Sequence, residues 1–131
     1  MSTEEEILKS CKTVAVVGIS ADEDRPSYRV SKYLQAEGYR IIPVNPKELW
    51  ILGTMCYPDL KSVPEKVDVV DIFRRPENVP EIVDQAIEIG AGAVWMQEGV
   101  NHEQAAEKAR QAGLKVVQDR CMMKEHLLLN S

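Results

Sequence analysis

Histidine and cysteine are scarce in this chain, with two and three residues respectively in 131. Cys11, Cys56 and Cys121 are odd in number, widely spaced and without a CxxC pair. That excludes a disulfide framework and a zinc site of ordinary ligand spacing, and it predicts free thiols in a reducing compartment. Long apolar runs are also missing. None approaches the roughly 18 to 20 residues of a membrane helix, and the acidic Met-Ser-Thr-Glu-Glu-Glu start has neither the basic nor the apolar part of a signal peptide. A soluble cytoplasmic protein is expected, with no membrane partner. A basic surface is lacking too: the formal net charge is -5, which argues against nucleic acid as a partner. A small anionic ligand stays open, because it needs only a local positive field from a helix N-terminus and a few basic side chains.

What the chain does have is alternation. With 131 residues and 44% hydrophobic content it suits one domain, spanning 1–131, that buries about two-thirds of its unfolded surface. Ser2 or Thr3 with Glu5 or Glu6 resembles a capping box for a short first helix. Thr13 to Ile19 is a continuous β-branched run that ends in glycine at Gly18, as expected of a central parallel strand covered on both faces. Val30, Tyr33 and Leu34 then recur at helical spacing from near Ser27 to Gly38. Tyr39 to Asn45, Val67 to Phe73, Ala93 to Gln97 and Lys115 to Gln118 read as four more strands. Between them lie an irregular stretch from Leu52 to Pro64, a helix with the stripe Val79, Ile82, Val83, Ala86 and Ile87, and a helix capped by Asn101. Cys121 to Leu129 is a final amphipathic segment.

Strand starts about every 25 residues, with helices between, have the spacing of right-handed βαβ units. The expected fold is α/β: a Rossmann-like, doubly wound, five-stranded parallel sheet of order 3-2-1-4-5 with helices on both faces. In that order the loops after Gly18 and after Gln97 face each other across the ligand crevice.

The turn after the first strand is the candidate anion site. Unpaired N–H groups and the positive end of the helix dipole meet there. Gly18 lets backbone approach, Ser20 and Ser27 offer hydroxyls, and Arg25 offers a bidentate guanidinium. Ser27 read on its own is equally a helix cap. The turn is no dinucleotide fingerprint: it reads Gly18-Ile19-Ser20-Ala21-Asp22-Glu23 without the later glycines of GxGxxG, and the second strand ends in Asn45-Pro46-Lys47 without the ribose-binding acid. Lys47 in place of that acid favours a phosphate on the ribose, as in NADP or coenzyme A. A P-loop is absent, and the first strand lacks the acidic pair of a receiver domain.

Taken together, Val16-Val17-Gly18-Ile19-Ser20, Arg25-Pro26-Ser27-Tyr28, Pro43-Val44-Asn45-Pro46, Ile51-Leu52-Gly53, Val69 to Pro76 and Val94 to Gly99 resemble the stand-alone CoA-binding domain family. The chain is similar to the nucleotide-binding domain of the succinyl-CoA synthetase alpha subunit and of ADP-forming acyl-CoA synthetases, from about Lys12 to Cys121. The resemblance implies coenzyme A as the ligand. It implies that Gly18, Ile19, Ser20, Arg25 and Ser27 lie around the pyrophosphate, Asn45 and Lys47 near the ribose and its phosphate, Phe73 and Arg74 beside the adenine, and Gln97 and Gly99 along the pantetheine. One departure stands out: Asp22-Glu23-Asp24 occupies the first turn where the synthetases carry glycines.

The synthetases act through a phosphohistidine in a separate domain. Here His102 and His126 have no evident nucleophile or acid beside them in sequence, and Asp68, Asp71 and Glu98 make no acid–base pair. The reading favours a non-catalytic coenzyme A or acyl-CoA binding protein, a carrier or sensor, over an enzyme. Two alternatives stay open: a subunit or partner of an acyl-CoA synthetase or transferase, and an NADP-binding redox-sensing module. Cys121, just past the fifth strand, is either a structural thiol or a partner for the coenzyme thiol. The C-terminal apolar segment is a candidate either to cover a sheet edge or to make a homodimer contact.

Overall fold

A computed structural model describes residues 1–131. Helix α1 (Thr3–Ser10) precedes strand β1 (Thr13–Val17), helix α2 (Pro26–Ala36) and strand β2 (Arg40–Val44). A hairpin of β3 (Trp50–Ile51) and β4 (Thr54–Met55) and a 3-10 turn at Leu60–Ser62 follow. The chain continues through β5 (Val69–Ile72), α3 (Val79–Glu88), β6 (Ala93–Met96), α4 (Glu103–Gln111), β7 (Lys115–Val117) and α5 (Met122–Leu129). No helix is long and apolar enough to cross a membrane.

Five strands form one parallel sheet. Its strands read as nearly unbroken apolar runs because both faces are covered. Successive side chains alternate between two cores: Ala15, Val17, Val70, Ile72 and Val94 pack with Val79, Val83 and Ala106 of α3 and α4. Val14, Val16, Val69 and Trp95 pack on the other face with Ile7, Val30, Leu34 and Met122 of α1, α2 and α5. Ser2 caps α1 as the sequence suggests, accepting from the Glu5 N–H at 3.1 Å. Helix α4 is capped by His102 rather than Asn101, its Nδ1 accepting from the Ala105 N–H. The stretch expected to be irregular holds the small hairpin, whose turn places Leu52 and Gly53 both at positive φ, the geometry that matches strand twist in a two-residue loop.

The parallel, doubly wound sheet agrees with the sequence reading, but its strand order does not. Counting only the five sheet strands, the order is 2-1-3-4-5, that is β2-β1-β5-β6-β7, and not 3-2-1-4-5. Pro43 supplies the physical reason. It lies within β2 and has no N–H to give a second neighbour, so β2 belongs at an edge, whereas β5 is buried along its whole length and sits between β1 and β6. The outer side of β2 is closed by Tyr57, which donates to the Pro43 carbonyl at 3.0 Å and accepts from the Asn45 N–H at 2.9 Å. The consequence for function is direct. The winding reverses between β1 and β5, so the loop after β5 faces the loop after β1 across the crevice, with the loop after β6 one strand further on.

Candidate functional site

The strand ends at this reversal are locked together. Gly18 donates to the Val44 carbonyl at 3.0 Å, and Phe73 donates to the Val17 carbonyl at 2.9 Å. Gly18 sits at φ +89°, and a Cβ there would lie 2.5 Å from the Phe73 carbonyl oxygen and 2.7 Å from Arg74 Cδ. The position therefore demands glycine because the β5 loop crosses directly over it. Beyond Gly18 the loop is tied down by side chains. The Ser20 N–H donates to Ser27 Oγ at 2.9 Å, and Asn45 Nδ2 donates to the Ile19 carbonyl at 2.8 Å. Pro26 opens α2, and Arg25 at its N-cap makes no side-chain cap. Ser27 thus holds the preceding loop instead of capping its own helix, and its N–H has no protein acceptor.

These loops enclose a cleft of about 540 Å³. Gly18, Ser20, Arg25 and Ser27 line it from the loop after β1, Phe73 and Arg74 from the loop after β5, and Gln97 and Gly99 from the loop after β6. Ile19, Asn45 and Lys47 do not. Ile19 is buried in the core beneath the turn, and the Asn45 amide is spent on the Ile19 carbonyl and on the Lys47 N–H at 2.8 Å. Lys47 is exposed beside Pro46, which lines a smaller groove of about 210 Å³ on the far side of Arg74. Sequence reasoning passed over Arg75 as a site residue, although its signal, a second arginine directly after Arg74 at a strand end, was present.

Charge in the cleft runs against charge in the chain. Arg74 and Arg75 have no ion-pair partner, and Arg25 has only Asp22 at 4.0 Å, with both side chains more than half exposed. The one acidic lining residue, Glu98, is held by Lys124 at 3.0 Å. Asp22, Glu23 and Asp24 are exposed and stay outside the cleft, folded into their own turn by the Ser20 hydroxyl and the Asp22 carboxylate.

At the inner end, Gln97 is only 4% exposed, and its Nε2 donates to Asp71 Oδ1 at 2.6 Å. Asp71 is fully buried with Oδ2 unpartnered. Burial pushes its carboxyl up to about 7, against the lowering effect of the Gln97 hydrogen bond. With the amide nitrogen committed to Asp71, Gln97 Oε1 is left without a protein donor on the cleft wall. Cys121 completes that wall, nearly buried at the N-cap of α5. The histidines lie elsewhere: His102 caps α4, and His126 meets the Tyr33 hydroxyl at 2.6 Å, pinning α5 to α2. No cluster of three or more His, Cys, Asp or Glu side chains could hold a metal.

Known proteins resemble the chain in sequence and fold. The chain is 39% identical to the uncharacterized protein YneT of Bacillus subtilis over 121 residues, covering 92% of this chain and 90% of YneT. It is 34% identical to acetate–CoA ligase (ADP-forming) II of Archaeoglobus fulgidus over 95 residues, covering 70% of this chain but only 14% of the ligase. Among solved structures, a hypothetical protein from Pyrococcus horikoshii superposes with a TM-score of 0.95 at 42% identity, covering 100% of this chain and 94% of that one. Residues 12–127 match the CoA binding domain family, and the chain belongs to it.

Proposed function

We propose that this chain binds coenzyme A, free or acylated, in the cleft between the loops after β1, β5 and β6, and that it does so as a non-catalytic carrier or sensor. The observation that carries the reading is the set of three guanidinium groups, Arg25, Arg74 and Arg75, gathered at the Ser27 end of α2 in a chain of net charge -5. Two of these guanidinium groups have no carboxylate partner and Arg25 has only the long contact to Asp22, and such groups beside a free helix N–H suit a pyrophosphate.

From that anchor the ligand would extend both ways. The smaller groove beyond Arg74, walled by Val17, Val44, Pro46 and Ile82, suits the adenine, and Lys47 next to Pro46 suits the ribose phosphate. The opposite direction leads past Gln97 to Cys121 and suits the pantetheine. Neither histidine lines the cleft, which supports binding over phosphohistidine chemistry. The relatives that are ligases extend far beyond the length matched here, so their activity is not carried over.

Competition calorimetry tests the reading against an NADP site. Coenzyme A is expected to bind and to exclude NADPH, with dephospho-coenzyme A binding more weakly. Preference for NADPH would contradict it.

A further inference from the structure

The inner end of the cleft holds a thiol that the binding reading leaves unused. Cys121 lines the cleft, and Arg120 just before it is fixed by hydrogen bonds through both its N–H and its carbonyl. The Arg120 N–H donates to the Met96 carbonyl at 3.2 Å, and the Trp95 indole N–H donates to the Arg120 carbonyl at 2.9 Å. The β7 loop is tied again by the Gly99 N–H, which donates to Asp119 Oδ1 at 2.7 Å. The thiol therefore sits on a braced wall and not on a loose loop. It stands at the N-cap of the eight-residue α5, where no side chain caps the helix.

A second feature points independently to a ligand at that end. Gln97 is nine-tenths or more buried, yet its Oε1 meets no protein donor and lies on the cleft wall. The hydrogen bond to Asp71 commits the amide nitrogen and leaves the oxygen free. An acceptor without a protein donor, on a residue otherwise buried in the cleft wall, can take an N–H donor from outside the chain. Pantetheine carries two amide N–H groups ahead of its thiol. An amide N–H at Gln97 would lead the sulfur on toward Cys121.

We propose that Cys121 is a site of reversible mixed-disulfide formation with the thiol end of a pantetheine-bearing ligand. The inference rests on the coenzyme A reading above. The co-reactant is the symmetrical disulfide of coenzyme A. Cys121 Sγ, as thiolate, forms a bond to one sulfur of that disulfide, and the original S–S bond breaks. The departing coenzyme A thiolate takes up the proton that Cys121 released. One disulfide replaces another, so no net oxidation occurs and no further oxidant is needed. A thiol reductant reverses the step. Cys11 and Cys56 serve as internal controls, because neither lines the cleft and burial raises both thiol pKa values, that of Cys11 to about 12.

Intact-mass and peptide mass spectrometry of the full chain, without reductant, test the proposal with two probes, coenzyme A disulfide and cystamine. The expected result is a single adduct on Cys121, a mass gain of one coenzyme A less two hydrogens, removed by dithiothreitol. It should form about tenfold or more faster with coenzyme A disulfide than with cystamine, because binding holds the sulfurs together. Cys121→Ser should lose the adduct, and Cys11→Ser, outside the cleft, should keep it. Coenzyme A that binds without labelling Cys121, label on Cys11 or Cys56 instead, or equal rates with cystamine would each overturn the proposal while leaving the binding reading intact. Failure of wild type to bind coenzyme A in calorimetry would overturn both.

Discussion

The two ends of the parallel sheet treat charge differently. At the N-terminal end, Arg40 at the start of β2 is bound by both carboxylate oxygens of Glu65, and Lys115 at the start of β7 meets Glu6 at 3.1 Å. Asp68, just ahead of β5, accepts from the N–H groups of Lys12 and Thr13 at 2.8 and 3.0 Å. At the C-terminal end, Arg74 and Arg75 have no carboxylate, Gln97 has a bare oxygen and Asp71 a bare one. Asp68 and Asp71 put the contrast into one strand. Partial burial raises the Asp68 pKa, but the two donated N–H bonds together with the Lys66 and Lys12 charges outweigh it and the net shift is downward. Asp71 is fully buried with one weaker compensation, and its pKa rises to about 7. One end of the sheet is internally satisfied, and the other leaves arginines and side-chain oxygens without protein partners.

The comparison can be broken most forcefully at the arginines. Each of Arg25→Ala, Arg74→Ala and Arg75→Ala is expected to weaken coenzyme A binding by about tenfold to a hundredfold, the range for a charge-assisted hydrogen bond, with little change in melting temperature. Arg40→Ala at the other end should leave affinity unchanged. Gly18→Ala comes next. The added Cβ meets the Phe73 carbonyl and the Arg74 side chain at a positive φ, so a loss of about 1–3 kcal/mol in unfolding free energy is expected by denaturant titration. The cleft should lose affinity with it.

Asp71→Asn sharpens the contrast between the two carboxylates. A carboxyl whose pKa is higher folded than unfolded weakens the fold as pH rises from its ordinary 3.8 to about 7, and the cost is constant above that. Thermal melts across pH should find the variant more stable than wild type near pH 8, by on the order of a few kcal/mol, with the gap closing toward pH 4. Asp68→Asn should do the opposite, losing stability at neutral pH and matching wild type in acid. Smallest of all is Arg40→Ala, whose exposed ion pair with Glu65 is expected to contribute under about 1 kcal/mol to stability by the same melts.

Much of this contrast is visible in the sequence. The β-branched runs and the glycine stops gave the alternation, and the strand-end residues Gly18, Arg25, Ser27, Arg74 and Gln97 gave most of the cleft. The strand order was harder, because alternation alone does not say where the winding reverses. The deciding residue was Pro43, whose missing N–H places β2 at the edge. Asn45 shows a different limit. A polar residue at a strand end looks like a ligand contact, but whether its amide is already committed depends on a loop 26 residues away, at the Ile19 carbonyl. The Gln97–Asp71 pair, also 26 residues apart, was hidden for the same reason, since neighbouring strands bring together residues whose pairing depends on register.

The central claim is that the guanidinium groups at the C-terminal end of the sheet mark a coenzyme A site. Isothermal titration of coenzyme A into the wild-type chain and into the Arg25→Ala/Arg74→Ala double variant tests it most directly. One-to-one binding to wild type, lost or weakened by a hundredfold or so in the double variant, is the predicted result. No binding to wild type, or equal affinity in the two proteins, would contradict it.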